Sequence, residues 1–115
     1  MADDCIFCKI AAGDIPSEKV YEDDAVFAFR DIHPAAPVHV LLIPKKHLAT
    51  AVDAGEADEA LLGKLLLAAN RVAVQEGIAA EGARYVLNVN KGAGQEVFHI
   101  HLHVLGGRGF SWPPG

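Results

Sequence analysis

The chain has 115 residues, 51% hydrophobic and 22% charged, which fits one domain with a core that needs no disulfide staples. A net charge of −5 excludes the broad basic footprint of a nucleic-acid binder, although a local cluster of backbone N–H groups and histidines can still hold a small anion. No stretch reaches the ~20 consecutive apolar residues of a membrane span. The acidic start, Met1 to Asp4, lacks the basic region of a signal peptide. With two cysteines three apart, it argues for a reducing, cytoplasmic setting with neither nucleic acid nor membrane as partner.

In chain order, Cys5 to Ala12 fits one or two helical turns, stopped by Gly13 and Pro16. Val20–Tyr21 and Ala25–Phe29 read as short strands joined by the acidic turn Glu22-Asp23-Asp24. Val38–Ile43 is a third strand, closed by Pro44, which cannot donate to a ladder. A long helix follows, with Leu61, Leu62, Leu65, Leu66, Ala69, Val72 and Ala73 on one face. Asp53 and Asp58 are both candidate N-caps, and Gly77 is a candidate C-terminal cap. Tyr85–Asn90 and Val97–Leu105 read as the fourth and fifth strands. The pattern predicts one α+β domain over 1–115, with a mainly antiparallel five-stranded sheet, one long helix and a short N-terminal helix. Gly106–Gly115 is too rich in Gly and Pro for regular structure. Extra apolar residues at Leu67, Ala68 and Val74 make the long helix wider in apolar surface than one sheet face requires, which supports a dimer.

The fifth strand carries the most information. Strand alternation places Phe98, Ile100, Leu102 and Val104 on one face and His99, His101 and His103 on the other, at roughly 6–7 Å spacing. Thr, Lys or Glu would fill a solvated face equally well, so three histidines at period two point to chemistry. They could bind a transition metal. Alternatively, they could divide covalent catalysis between a neutral nucleophile and a general acid, tasks that suit the pKa of imidazole. The loop just upstream, Lys91-Gly92-Ala93-Gly94-Gln95, lets backbone N–H groups approach and hold phosphate oxygens. A metal site needs no such loop, so loop and histidines together favour phosphate chemistry.

Cys5-Ile6-Phe7-Cys8 has three readings. The thiols could be simple core. They could form a redox pair, which the absence of a thioredoxin-like βαβ pattern opposes. They could also be half of a tetrahedral zinc site that needs two further ligands.

Taken together, these motifs resemble the histidine triad superfamily, whose pattern His-φ-His-φ-His-φ-φ (φ apolar) fits His99 to Leu105 throughout. Asp31-Ile32, Pro44-Lys45-Lys46-His47, Gly94-Gln95 and Gly106-Gly107-Arg108 match as well. The ending Trp112-Pro113-Pro114-Gly115 is similar to the branch of histidine triad nucleotide-binding proteins, the purine nucleoside phosphoramidases, and the cysteine pair leans towards a bacterial-type member. The resemblance implies that His101 attacks a nucleoside α-phosphorus and forms a nucleotidyl-histidine, which water hydrolyses to the monophosphate. In this scheme His103 lies near the leaving group, the backbone carbonyl of His99 holds the His101 ring, and His39 supports the proton relay. Phe7, Ile10, Phe29 and Ile32 would line a purine pocket, and Asp31 would hold the ribose hydroxyls. Asn88, Gly94, Gln95 and the backbone of Glu96 would bind phosphate. Glu96 departs from the hydroxyl residue common in relatives, and repulsion is expected to turn its carboxylate away.

Catalysis would need no cofactor, but some bacterial members hold a structural zinc, here through Cys5, Cys8, His47 and His99. The resemblance further implies a homodimer whose sheets join across a two-fold, with the Trp112 tail near the partner. Three alternatives remain: a dinucleoside polyphosphate hydrolase of the same superfamily, a nucleotide-binding adaptor dimer with incidental hydrolysis, and a metalloenzyme.

Overall fold

A computed structural model describes residues 4–115; residues 1–3 of the acidic start lie outside it. Its elements are α1 (Ile6–Ala12), β1 (Lys19–Glu22), β2 (Val26–Arg30), β3 (Val38–Pro44), α2 (Glu59–Gln75), β4 (Ala83–Val86) and β5 (Leu102–Gly106), with short 3₁₀ turns at Ala51–Asp53, Glu56–Asp58 and Lys91–Ala93. The strands form a five-stranded sheet in the order β1-β2-β3-β5-β4, each neighbouring pair antiparallel. This is the expected α+β architecture. No helix among the described residues is long and apolar enough to cross a membrane.

The β1–β2 turn is held by Asp23, whose Oδ1 accepts the backbone N–H groups of Ala25 and Val26, both at 2.8 Å. The two faces of the sheet are both covered, so β2 and β3 are apolar nearly throughout rather than alternating with polar residues. On one face, Val26, Ala28, Val40, Leu42, Leu102 and Val104 pack under Leu65, Ala68, Ala69, Val72 and Ala73 of α2. On the other, Phe27, Phe29, Leu41 and Ile43 pack under Cys5, Phe7 and Ile10 at α1.

Helix α2 differs in detail from its periodicity. Ala68 belongs to the buried face, whereas Leu66, expected to point inward, is exposed. Asp58 takes the N-cap position but does not cap with its side chain. Its carboxylate instead accepts from the Gly55 N–H and from Lys46 Nζ. Past the helix end, Gly77 has φ 75°, the left-handed conformation that favours glycine there.

The last two strands are shorter than the sequence suggests. The β3–β5 register pairs Leu42 with Leu102, so the next pair in step would set Ile100 opposite Pro44. Proline has no N–H to donate, and the Ile100 N–H goes to the Leu48 carbonyl instead, at 2.8 Å. The predicted strand over Val97–Leu105 is therefore corrected to Leu102–Gly106. The fourth strand, expected over Tyr85–Asn90, ends at Val86, whose partner His103 lies next to the start of β5. Phe98, assigned by alternation to the core face, is 45% exposed, because it precedes the ladder that would have enforced its facing.

Candidate active site

Although His99 and His101 lie outside the regular strand, the expected alternation survives. Ile100, Leu102 and Val104 enter the core under α2. The three imidazoles face the α1 side, where the Phe7 ring stands edge-on to His99 and His101. The His101 and His103 ring centroids are 5.0 Å apart. In β3, His39 lies on the same face as Leu41, the partner of His103, and this diagonal brings His39 against the His103 ring.

Backbone groups set the tautomers of these rings. The Ala35 N–H donates to His39 Nδ1 at 3.0 Å, so the ring proton of neutral His39 lies on Nε2. That proton is donated to His103 Nδ1 at 2.9 Å, with Asp31 Oδ2 at 3.4 Å from the same nitrogen. His103 must then carry its own proton on Nε2. His101 Nδ1–H donates to the His99 carbonyl at 2.8 Å, which leaves the His101 lone pair on Nε2. The resulting arrangement has a nucleophilic nitrogen on one ring and a donor N–H on the next. Burial pushes His103 down to about 4, helped by the adjacent His101 and His39 and opposed by Asp31. His39 is also lowered, by burial against the opposing charge of Asp31. Asp31, His39 and His103 are close enough together to hold a cation, but the Nε2 proton of His39 makes the trio a hydrogen-bonded relay.

A cleft of about 740 Å³ opens in front of His101 and His103. Of the sequence candidates, Phe7, Ile10, Phe29, Asp31, Ile32, Asn88, Gly94 and Glu96 all line it. Its wall at α1 and β2 is apolar and its floor is the histidine pair, the form expected for a small-molecule site with few polar groups. Gln95 does not line it. The Gln95 carboxamide is buried, accepting from the Asn90 N–H and donating to the Ala49 and Val97 carbonyls. Its side chain thus braces the loop that carries the phosphate-binding candidates. Gly94, at φ 94°, completes the turn that the brace holds. Glu96 is exposed and stands among the residues that line the cleft.

The sequence reading missed Ile15, Pro16, Ser17, Glu18, Arg30 and Leu41 in the cleft. Leu41 was legible from its period-two relation to His39, whereas Arg30 was not. Its guanidinium reaches Glu76 at the end of α2 with two bonds of 2.6 and 3.1 Å and Glu18 at 2.9 Å.

Beside the cleft, Cys5, Cys8, His47 and His99 each present one ligand atom, all within 4.8 Å of one another. His99 Nε2–H donates to the Pro44 carbonyl at 2.7 Å, so its lone pair is on Nδ1. Around that nitrogen stand Cys5 Sγ at 3.2 Å, Cys8 Sγ at 3.4 Å and His47 Nδ1 at 3.2 Å. One lone pair cannot accept from three donors, but a cation at the centre would satisfy all four atoms. The edges of a zinc tetrahedron with usual Zn–N and Zn–S bonds are about 3.3–3.8 Å, close to these separations, so the residues fit zinc. Burial and the neighbouring Cys5 thiol push the Cys8 thiol up to about 11.

Comparison with known proteins agrees with this geometry. The HIT domain family profile matches residues 12–110. The chain is 50% identical over 108 residues to the purine nucleoside phosphoramidase of Escherichia coli K12, covering 94% of this chain and 91% of that protein. It is 57% identical over 117 residues to a HIT-like protein of Synechocystis, covering the whole of both. Among solved structures, a HIT family hydrolase from Legionella pneumophila superposes with a TM-score of 0.95 at 55% identity, over 97% of this chain and 100% of that one.

Proposed function

The chain belongs to the HIT domain family, and from that premise we propose that it hydrolyses purine nucleoside 5′-phosphoramidates or adenylated amines through a nucleotidyl-histidine. One observation carries the reading: His101 lines the cleft with Nδ1 engaged by the His99 carbonyl, so the lone pair of Nε2 is free to attack. The apolar wall of Phe7, Ile10, Phe29 and Ile32 suits a purine base, Asp31 suits ribose hydroxyls, and Asn88, Gly94 and the Glu96 backbone suit phosphate oxygens.

His101 Nε2 bonds phosphorus as the P–N electron pair leaves on the amine nitrogen, which takes the Nε2 proton of a His103 ring made cationic by proton uptake on substrate binding, so that His103 ends neutral. The charge of bound phosphate opposes the burial that lowers the proton affinity of His103. Water then attacks phosphorus, returns a proton to His103, and expels His101 with the monophosphate. Two easier displacements replace one difficult step.

Cys5, Cys8, His47 and His99 would hold a structural zinc, closed by four protein ligands and taking no part in these steps. The working unit is a homodimer. Strand β4 is an edge of the sheet, the Tyr85 hydroxyl on it donates to Asn70 Oδ1 of α2, and the exposed Leu67 and Val74 share that stripe of the helix. The 82% exposed Trp112 would lie near the partner subunit.

Intact-protein mass spectrometry after brief mixing with adenosine 5′-phosphoramidate tests the mechanism. The parent protein should gain one nucleotidyl group, and His101→Ala should show neither the adduct nor turnover above roughly a thousandth of the parent rate. An unimpaired His101→Ala variant would discard the assigned nucleophile.

A further inference from the structure

We propose that Glu96 makes the leaving-group end of the cleft a subsite for cationic amines, selecting aminoalkyl phosphoramidates against anionic leaving groups. This rests on the phosphoramidase reading and names the substrate class within it. The base end of the cleft is built by α1 and β2. Glu96 enters from the opposite side, on the loop that leads to the histidines, and lines the cleft with Asn88, Gly94 and His103. Its neighbour in sequence, Gln95, is buried and bonded to three separate backbone groups, so the backbone carrying Glu96 is firmly placed.

The charge balance of the lining gives the sign. Arg30 is the one Lys or Arg that lines the cleft among the described residues, and Glu76 and Glu18 already bind its guanidinium. In the protein without substrate, His103 is held neutral by burial. Glu96 is exposed, lines the cleft and forms no ion pair among the described residues, so the carboxylate it brings to the cleft is uncompensated. A leaving group bearing polyphosphate would meet that charge with no free cation to receive it. An amine with a second ammonium group would be drawn towards it. Net charge −5 acts in the same direction at longer range.

The test compares adenosine 5′-phosphoramidates of propylamine, 1,3-diaminopropane and β-alanine, whose free ends are neutral, cationic and anionic. The readout is the ratio of kcat/KM between substrates within each protein, so a general loss of activity does not enter. The parent protein should prefer the diaminopropane substrate over the propylamine one by roughly three- to tenfold at low salt, the Coulomb factor for unit charges about 6 Å apart at the effective dielectric of about 40–80 that suits an exposed carboxylate. The preference should shrink towards unity at high ionic strength. Glu96→Gln should lose most of this preference, keeping only the small salt-sensitive remainder due to net charge, and Glu96→Lys should favour β-alanine.

An undiminished preference in Glu96→Gln, or no preference in the parent, overturns the proposal. Affinities for non-hydrolysable adenosine 5′-sulfamates carrying the same propyl and aminopropyl groups, measured by calorimetry, read the discrimination without chemistry. A protein that turns over none of the substrates, yet binds the aminopropyl sulfamate more tightly in a Glu96-dependent way, would refute phosphoramidase activity and uphold the subsite. Equal affinities would refute the subsite.

Discussion

Three imidazoles of the site owe their working state to a partner that cannot change roles, and the fourth, His103, takes its own from His39. A carbonyl only accepts and an amide N–H only donates, so Ala35, Pro44 and the backbone of His99 dictate which nitrogen of His39, His99 and His101 holds the proton. The buried neutral rings also make a prediction about acid. An unfolded histidine titrates near 6.5, but His103 in the fold is held at about 4 and His39 is lowered as well. Between those values the unfolded chain binds more protons, so stability is fully present above about 6.5 and declines as pH falls towards 4. Urea unfolding from about pH 7.5 to 4.5 should therefore show a steeper loss for the parent protein than for His103→Gln. Matching slopes would show that His103 is not a half-buried ring held neutral.

Elements place these residues where the local pattern alone could not. Pro44 ends β3 and, by facing the position of Ile100, delays the start of β5 until Leu102. The freed segment Val97–His101 turns His99 towards the cysteines while His101 stays at the cleft. Helix α2 has a second, outward stripe, with Leu67 61% and Val74 69% exposed. Exposed apolar residues in a stripe next to an edge strand suit a symmetric interface. Leu67→Glu combined with Val74→Glu should convert a dimer to a monomer in sedimentation velocity without changing the circular dichroism spectrum. A parent protein that sediments as a monomer would remove the interface altogether.

At the scale of the molecule, the cysteine–histidine cluster ties together parts of the chain that local structure leaves separate. Cys8 lies 39 residues from His47 and 91 from His99. A metal there would join α1, the segment after β3 and the segment before β5. Binding energy of a metal that the unfolded chain cannot hold in this geometry becomes folding energy. The parent protein should contain stoichiometric zinc by elemental analysis. Replacing both cysteines, Cys5→Ser with Cys8→Ser, should abolish it and lower Tm by roughly 10 °C or more. Equal Tm values for the two proteins would show that the cluster is not a structural metal centre.

Periodicity in the sequence alone determined the class of fold, its five strands and two α-helices, and the shared face of His99, His101 and His103, while the motifs carried the resemblance to the family. These properties are local, since side-chain alternation and helical repeat are imposed within a few residues. Tertiary structure alone decided where β5 begins, that Phe98 stays outside the core, that Gln95 braces its loop, and that Arg30 walls the cleft. It also decided the tautomer of His99, because the carbonyl that selects it belongs to Pro44, 55 residues away. Such partners are set by strand register and chain return, which no local pattern encodes.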